Sequence, residues 1–582
     1  VSPDTPRAAD EGLACRNLRW ALALWDGLAG TGLRRLVFSP GSRSTPLILA
    51  AERRELITLT PIVDERSAAF FALGLARGTG APVALVATSG SAPSHWWPAV
   101  IEASEWGLPL ILISADRPPR LRGWGANQTI DQDRLFGGYV RLFRDPGLPS
   151  EDPTERKSIR ALGSYAGRLA QSSANPGPVH LNLPFDEPLV PQGHCSERPL
   201  PGAPPAQLPA IASMIPTDTL SAWTRGRGVI VCGPGDYAPG FPEALAQCAE
   251  AHGLPVLLDP LSRLRGTLPP ATPTVTQYDG FLRHPGLAEA LRPDWVLRFG
   301  RTPVSKRLGE WLTDLPMLRV DPRPEPHDPS HDLRLHLTMD PVDFCRGWAG
   351  YGSAPVDLAW MADWRSAEDR AAGLAEAHRL ATPWCEPHLI AALIQALPDD
   401  TGLFVANSLP IRQIDTWSGQ PPRPLKVYGN RGVSGIDGQL STLAGLNAAG
   451  QPACGLLGDV AFCHDLSGLF QGEGLTRPVI LINNRGGRIF DYLPQRALPT
   501  LGPHWHTPPR VDLGRLLEAF GWSYHRVDGG AGFEAALATA LETPGPGLIE
   551  ARIDAERSRR VHTAFWAQLR DDPWFSRRAA RS

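Results

Sequence analysis

The sequence predicts an α/β protein of three domains, each built on a mostly parallel sheet. Short apolar runs rich in β-branched residues recur along the chain with longer amphipathic stretches between them, as parallel strands joined by crossover helices require. Most of these runs stop at Gly, Pro, Asn or Asp, the residues that end strands. The chain has 582 residues, more than one core serves, and proline-rich or irregular stretches interrupt it twice.

The first domain is expected over residues 1–190, with strands at Leu36-Val37-Phe38, Val83-Ala84-Leu85-Val86 and Leu110-Ile111-Leu112-Ile113. Ile62-Val63 reads as a further short strand, and Ser67 onward as a helix of small residues. A linker over 191–215 is read from Pro199, Pro201, Pro204, Pro205 and Pro209. The central domain, 216–350, has runs at Val229-Ile230-Val231, Pro255-Val256-Leu257-Leu258, Trp295-Val296-Leu297 and Leu318-Arg319-Val320. A second linker, 351–385, holds one helix near Asp357 to Arg379. The last domain, 386–582, has runs at Leu403-Phe404-Val405, Cys454-Gly455-Leu456-Leu457, Val479-Ile480-Leu481-Ile482 and Leu548-Ile549-Glu550-Ala551.

Charge and composition exclude several functions. A formal net charge of -3 gives no basis for nucleic acid or an anionic membrane as partner. No apolar run approaches the roughly 20 residues of a membrane span. The N-terminus lacks the basic and apolar regions of a signal peptide. The eight cysteines are scattered without a C-x-x-C pair, which predicts neither a zinc cage nor a disulfide framework and fits a reducing cytoplasm. All but three of the 57 basic residues are arginine, the lysines being Lys157, Lys306 and Lys426.

Ligands of open α/β sheets bind beyond the carboxyl ends of the strands, so the polar segments that follow the runs are the candidate sites. Gly458-Asp459 follows one strand, and Asn483-Asn484-Arg485-Gly486-Gly487 follows the next. A carboxylate, a side-chain amide and a glycine carbonyl are the hard oxygen donors that Mg²⁺ takes, with phosphate oxygens completing its shell. Taken alone, the same residues also fit ordinary strand-end turns.

With its neighbours, this segment resembles the diphosphate-metal motif of thiamine-diphosphate-dependent enzymes. The extension through Arg488-Ile489-Phe490 to Leu493-Pro494 resembles the version found in the SEPHCHC synthases of menaquinone biosynthesis. The likeness implies a thiamine-diphosphate-binding fold, with Asp459, the Asn484 side chain and the Gly486 carbonyl on Mg²⁺ or Mn²⁺. Arg485 departs from the family, where a third Asn is common; its side chain is expected to point away from the ion. Asp64-Glu65-Arg66 matches the position of the family's activating carboxyl group, which hydrogen-bonds N1′ of the cofactor's pyrimidine. That implies Glu65 as catalytic and leaves Asp64 as a helix cap. In Asn430-Arg431-Gly432-Val433-Ser434-Gly435-Ile436 the resemblance makes Ile436 the aliphatic wedge under the bent cofactor; the pattern alone reads it as core. Thr88, Ser89 and Gly90 correspond to the pyrimidine loop, although Ser91 and the stretch from Pro93 to Trp97 depart from the family. Ser408, Gly458, Ile489 and Phe490 complete the implied cofactor contacts.

Dicarboxylate substrates need fixed cations, and arginine's planar fork suits them. The likeness carries Ser42, Arg43, Arg117, Gln128, Lys306, Arg307, Arg412 and Arg431 as contacts to 2-oxoglutarate and isochorismate. It further implies a homodimer or homotetramer with active sites where the first domain of one subunit meets the third domain of another. The activity implied is decarboxylation of 2-oxoglutarate and 1,4-addition of the remaining succinyl unit to isochorismate.

Overall fold

The computed structural model describes residues 8–196, 220, 223, 225–350, 356–543 and 545–580. It contains three six-stranded sheets, and every pairing in them is parallel. The first comprises β1 (Arg35–Phe38), β2 (Thr58–Pro61), β3 (Val83–Ala87), β4 (Leu110–Asp116), β5 (Phe143–Arg144) and β6 (Val179–Pro184). Their order is β2-β1-β3-β4-β6-β5. The second comprises β7 (Gly228–Cys232), β8 (Val256–Leu258), β9 (Thr274–Val275), β10 (Trp295–Phe299), β11 (Met317–Val320) and β12 (Leu333–Leu337), ordered β12-β11-β10-β7-β8-β9. The third comprises β13 (Gly402–Val405), β14 (Val427–Tyr428), β15 (Ala453–Gly458), β16 (Val479–Asn483), β17 (Ser523–Val527) and β18 (Gly547–Arg552). Its order, β14-β13-β15-β16-β18-β17, repeats the plan of the first.

Burial explains why the central strands are mostly apolar, with Ser114, Asp116 and Arg298 the buried polar residues among them. Every residue of β3, β4, β7 and β10 is buried, because helices cover both faces of a parallel sheet. Alternation along β7 sends Val229 and Val231 into one core and Ile230 and Cys232 into another. The helix Leu358–Ala381 lies in the stretch expected to be a linker, and it covers the first of those cores. Its Trp360, Trp364, Ala367, Ala371 and Leu374 form one apolar stripe.

Contacts group the chain into two compact units. One holds 1–210, 430–451 and 464–475; the other holds 211–429, 452–463 and 476–582. The second and third sheets therefore share a unit. Within it, Arg265 and Asp415 form a buried ion pair at 2.7 Å, and Tyr278 donates to the same carboxylate oxygen at 3.0 Å.

Two expectations are corrected. Ile62-Val63 is not a strand: β2 lies just before it and pairs with β1 from Thr58 to Pro61, and Ile62 adds one hydrogen bond, to the Phe38 carbonyl. Cys15 and Cys195 are joined by a disulfide, with Cα atoms 5.6 Å apart across 180 residues; folding brings together partners that sequence spacing does not reveal. Of the expected linker 191–215, residues 197–215 lie outside the described residues. Among the described residues, no helix is long and apolar enough to cross a membrane.

Candidate functional site

Each sheet has a point inside it where the strand order switches direction, and the crevice at such a point is where α/β sheets hold ligands. In the first sheet this lies between β1 and β3. The loops that leave these strands touch because residue 41 is glycine: a Cβ there would fall 2.4 Å from the Thr88 Cβ. The Arg43 amide donates to Thr88 Oγ1 at 3.3 Å. Gln128 fastens the second loop, donating from Nε2 to the Ser89 carbonyl at 3.1 Å and accepting Ser89 Oγ at its own carbonyl at 3.0 Å. Gly90, at φ +88°, donates to Gln132 at 3.0 Å. Exposed Ser42 adjoins Arg43, which is buried. Arg43 and Arg117 both reach Glu187 Oε1, at 2.5 and 3.4 Å. The Arg117 amide donates to Asp116 at 2.7 Å, and burial pushes the Asp116 carboxyl up to about 6. The fold thus gathers Ser42, Arg43, Thr88, Ser89, Gly90, Arg117 and Gln128.

Glu65 opens the helix Glu65–Thr79, and Asp64 caps that helix by accepting the Ser67 amide at 3.0 Å. This helix crosses the helix Gln439–Ala448 backbone against backbone. A Cβ at Gly74 would lie 2.1 Å from the Thr442 carbonyl oxygen, and one at Gly445 would lie 2.0 Å from that of Phe71. Ile436, half-buried, sits three residues before the second helix. The loop carrying Arg431 and Ile436 is pinned by Glu102, which is buried and accepts the Gly432 and Val433 amides at 2.7 and 2.8 Å.

The other unit repeats the geometry where β13 and β15 diverge. Ser408, at φ +73°, precedes the helix Leu409–Trp417, and Gly458-Asp459 ends β15. Asp459 accepts the Gly486 amide at 2.7 Å and the Val460 amide at 2.9 Å; burial raises its carboxyl to about 6. Asn484 is buried. Gly486 stands at φ +110°, and a Cβ there would meet the His506 carbonyl oxygen at 2.0 Å, so only glycine fits. Among the described residues, no group of three or more His, Cys, Asp or Glu side chains could hold a metal ion. A divalent ion here would therefore rest on one carboxylate, one amide and one carbonyl, a donor set suited to a hard cation that keeps phosphate oxygens. Arg485 is exposed, with left-handed backbone at φ +63°.

In the same unit, Lys306, Arg307, Arg412 and Ile489 line one cavity of about 310 Å³. Ser305 caps the helix that begins at Lys306, accepting the Leu308 amide at 3.0 Å. Arg307 Nε donates to the Leu282 carbonyl at 3.0 Å. Arg412 Nη1 donates to the Ser408 carbonyl at 2.5 Å. Phe490 packs on Trp505, with ring centroids 5.0 Å apart. Tyr492 and His562 also line the cavity. Trp417 Nε1 can only donate, and it meets His562 Nε2 at 2.8 Å, so His562 carries its proton on Nδ1 and donates it to Tyr492 Oη at 2.8 Å. Burial lowers His562 to about 3, which keeps it neutral.

Comparison with known proteins agrees with this geometry. Residues 19–135 match the model described as thiamine pyrophosphate enzyme, N-terminal TPP binding domain, and residues 206–405 match the middle domain of thiamine pyrophosphate enzymes. A 2-succinyl-5-enolpyruvyl-6-hydroxy-3-cyclohexene-1-carboxylate synthase from Dechloromonas aromatica (strain RCB) is 40% identical over 544 residues, covering 92% of this chain and 98% of that protein. The chain belongs to the 2-succinyl-5-enolpyruvyl-6-hydroxy-3-cyclohexene-1-carboxylate synthase family. A synthase from Geobacillus kaustophilus (strain HTA426) is 38% identical, covering 94% of this chain and 97% of that protein. One from Halobacterium salinarum (strain ATCC 29341 / DSM 671 / R1) is 37% identical with the same coverage.

Sequence reasoning missed Glu102, Glu187, Tyr492 and His562 at these sites. Glu102 left a signal, an acid within the apolar helix turn Pro98-Ala99-Val100-Ile101-Glu102-Ala103. The other three left none.

Proposed function

We propose that this member of the synthase family converts 2-oxoglutarate and isochorismate, with one proton, into 2-succinyl-5-enolpyruvyl-6-hydroxy-3-cyclohexene-1-carboxylate and CO₂, using thiamine diphosphate and Mg²⁺ or Mn²⁺. The observation that carries the reading is the cavity where Arg283, Lys306, Arg307 and Arg412 gather beside Ile489, with Asp279, Glu310 and Asp415 also in its lining. A carboligase acting on uncharged acceptors has no need of four cations in one recess, one more than the acids that line it, whereas two dicarboxylates do.

Bound thiamine diphosphate supplies the nucleophilic carbon and the electron sink for loss of CO₂. The protein's share is positioning and electrostatics. Glu65 would hydrogen-bond the pyrimidine ring nitrogen of the cofactor, Thr88, Ser89 and Gly90 would shape the loop beside it, and Ile436 would pack against it. Ser408, Gly458, Ile489 and Phe490 face the cofactor, and Asp459, Asn484 and the Gly486 carbonyl hold the ion. Ser42, Arg43, Arg117, Gln128, Lys306, Arg307, Arg412 and Arg431 orient substrate carboxylates. Orientation of the acceptor decides the product, because water competes for the same reactive carbon. Glu65 and Asp459 belong to different compact units. We assign the working form as a cytoplasmic homodimer or homotetramer with the first domain of one subunit facing the third domain of another.

The test is incubation with thiamine diphosphate, Mg²⁺, 2-oxoglutarate and isochorismate, following isochorismate absorbance and product mass. Turnover that needs all four components and vanishes in Glu65→Gln is expected. Release of CO₂ with isochorismate untouched would overturn the acceptor, and no turnover at all would overturn the reading.

A further inference from the structure

Glu187 stands where a substrate carboxylate would be expected. Arg43 is buried, donating from Nη1 to the Phe185 carbonyl at 2.9 Å and from Nη2 to Glu187 Oε1 at 2.5 Å. Arg117 Nη1 meets that same oxygen at 3.4 Å. Glu187 thus bridges two arginines with a single oxygen, and Oε2 bonds no other described residue. The Nε atoms of Arg43 and Arg117 are buried without partners. On Arg43 the Nε–Nη2 edge, which takes a carboxylate side-on with two parallel hydrogen bonds, is therefore half used.

The surroundings leave this side chain free to move while its backbone stays fixed. The Phe185 amide donates to the Asp116 carbonyl at 3.1 Å. Asn17 Nδ2 donates to the carbonyls of Asp186 and Pro188 at 2.9 and 3.3 Å. The Asp186 carboxylate takes Arg120 through both oxygens, at 2.7 and 3.0 Å. The Glu187 side chain itself is 64% exposed, against 4% for Arg43. An exposed carboxylate held through one oxygen is a weak partner, and it gives way to one that offers two.

We propose that Glu187 is an internal stand-in that occupies the Arg43–Arg117 pair until a substrate carboxylate displaces it. The proposal rests on the reading of those arginines as substrate contacts. While Glu187 occupies the pair, only the fraction of molecules with it swung away binds substrate, so apparent affinity falls by that fraction. In return, two neighbouring cations keep their geometry before substrate arrives.

The test compares wild type with Glu187→Gln, which keeps the shape and removes the charge. Each substrate is varied in turn, and succinate serves as an unreactive dicarboxylate titrated calorimetrically into the holoenzyme. The stand-in role predicts that KM for one substrate and the succinate Kd both fall, by about threefold to tenfold. A merely structural role predicts the opposite, both constants rising as Arg43 loses its anchor, and either a rise or no change overturns the proposal. Glu187→Asp, which retreats from Arg43 but keeps its charge, should move both constants in the same direction as Glu187→Gln, and it serves if the glutamine variant folds poorly. If wild type shows no turnover, the functional reading falls, while the succinate ratio still decides the role of Glu187.

Discussion

Replacing Gly445 with alanine sets two effects against each other, and the structure says which wins. In an ordinary helix interior the change adds about 1 kcal/mol of helix propensity. At Gly445 the new Cβ would lie 2.0 Å from the Phe71 carbonyl oxygen, where ordinary contact starts at 3.4 Å. The neighbour is backbone inside the helix Glu65–Thr79, so no side chain can rotate away and the helices must part by roughly 1 Å. Overpacking of this kind costs about 1–3 kcal/mol, and here the displaced element is a whole helix, so a net loss of about 2 kcal/mol or more is expected. Function should suffer more than stability. Glu65, proposed above as the catalytic carboxyl group, opens the helix that moves, and a misplacement of about 1 Å at such a group costs on the order of 100-fold in rate. The assay is kcat with thiamine diphosphate saturating, alongside a urea unfolding curve followed by tryptophan fluorescence. A Gly445→Ala protein with wild-type kcat and an unchanged or higher urea midpoint would refute the argument, because propensity would then have outweighed the steric clash.

Three other outcomes follow from the geometry. Glu102→Gln replaces a carboxylate that accepts two amides with a group that turns a donor toward one of them; a loss of about 2–4 kcal/mol is expected, read as a lower urea midpoint, with activity falling as the Arg431–Ile436 loop loosens. Arg265→Leu strands the Asp415 carboxyl, which burial already raises to about 7, and should cost about 3–5 kcal/mol; adding Asp415→Leu should recover much of that loss in the same unfolding assay. His562 stays unprotonated in the folded protein down to about 3, while the unfolded chain takes up its proton near 6.5. Its contribution is therefore complete above pH 6.5 and is lost as pH falls from there toward 3, amounting to about 2 kcal/mol by pH 5. His562→Phe should flatten that part of the stability profile, and an unchanged slope would contradict the assignment.

The sheets were legible at most strands buried on both faces, but Val179–Pro184, equally buried, was missed because His180 and Asn182 interrupt its apolar run. Val479–Asn483 and Trp295–Phe299 can be read directly because most of their buried positions are apolar. Strands of two residues, such as β5, β9 and β14, carry too few positions to show a period, and β2 escaped because none of its four residues is buried and no apolar run marks it. The candidate site was legible at strand ends, where glycine and polar residues interrupt apolar runs, as at Gly458-Asp459 and Thr88-Ser89-Gly90. Its supports were not. Glu102 meets amides 330 and 331 residues away, and Trp417 meets His562 across 145. Partners at such separations are fixed only by topology, and a single sequence holds no record of them.

The first and third sheets share one strand order, and what they share is only the frame. Many of the proposed site residues follow strand ends, after β1, β2, β3 and β4 in one case and after β13, β15 and β16 in the other. A frame used twice lets each copy diversify without risk to the other. Changes confined to 41–43 or 88–91 leave every strand of the third sheet as it was, and changes at 484–490 leave the first untouched. The loops of the two sheets can thus vary separately, with loop exchange between relatives as the natural unit of change.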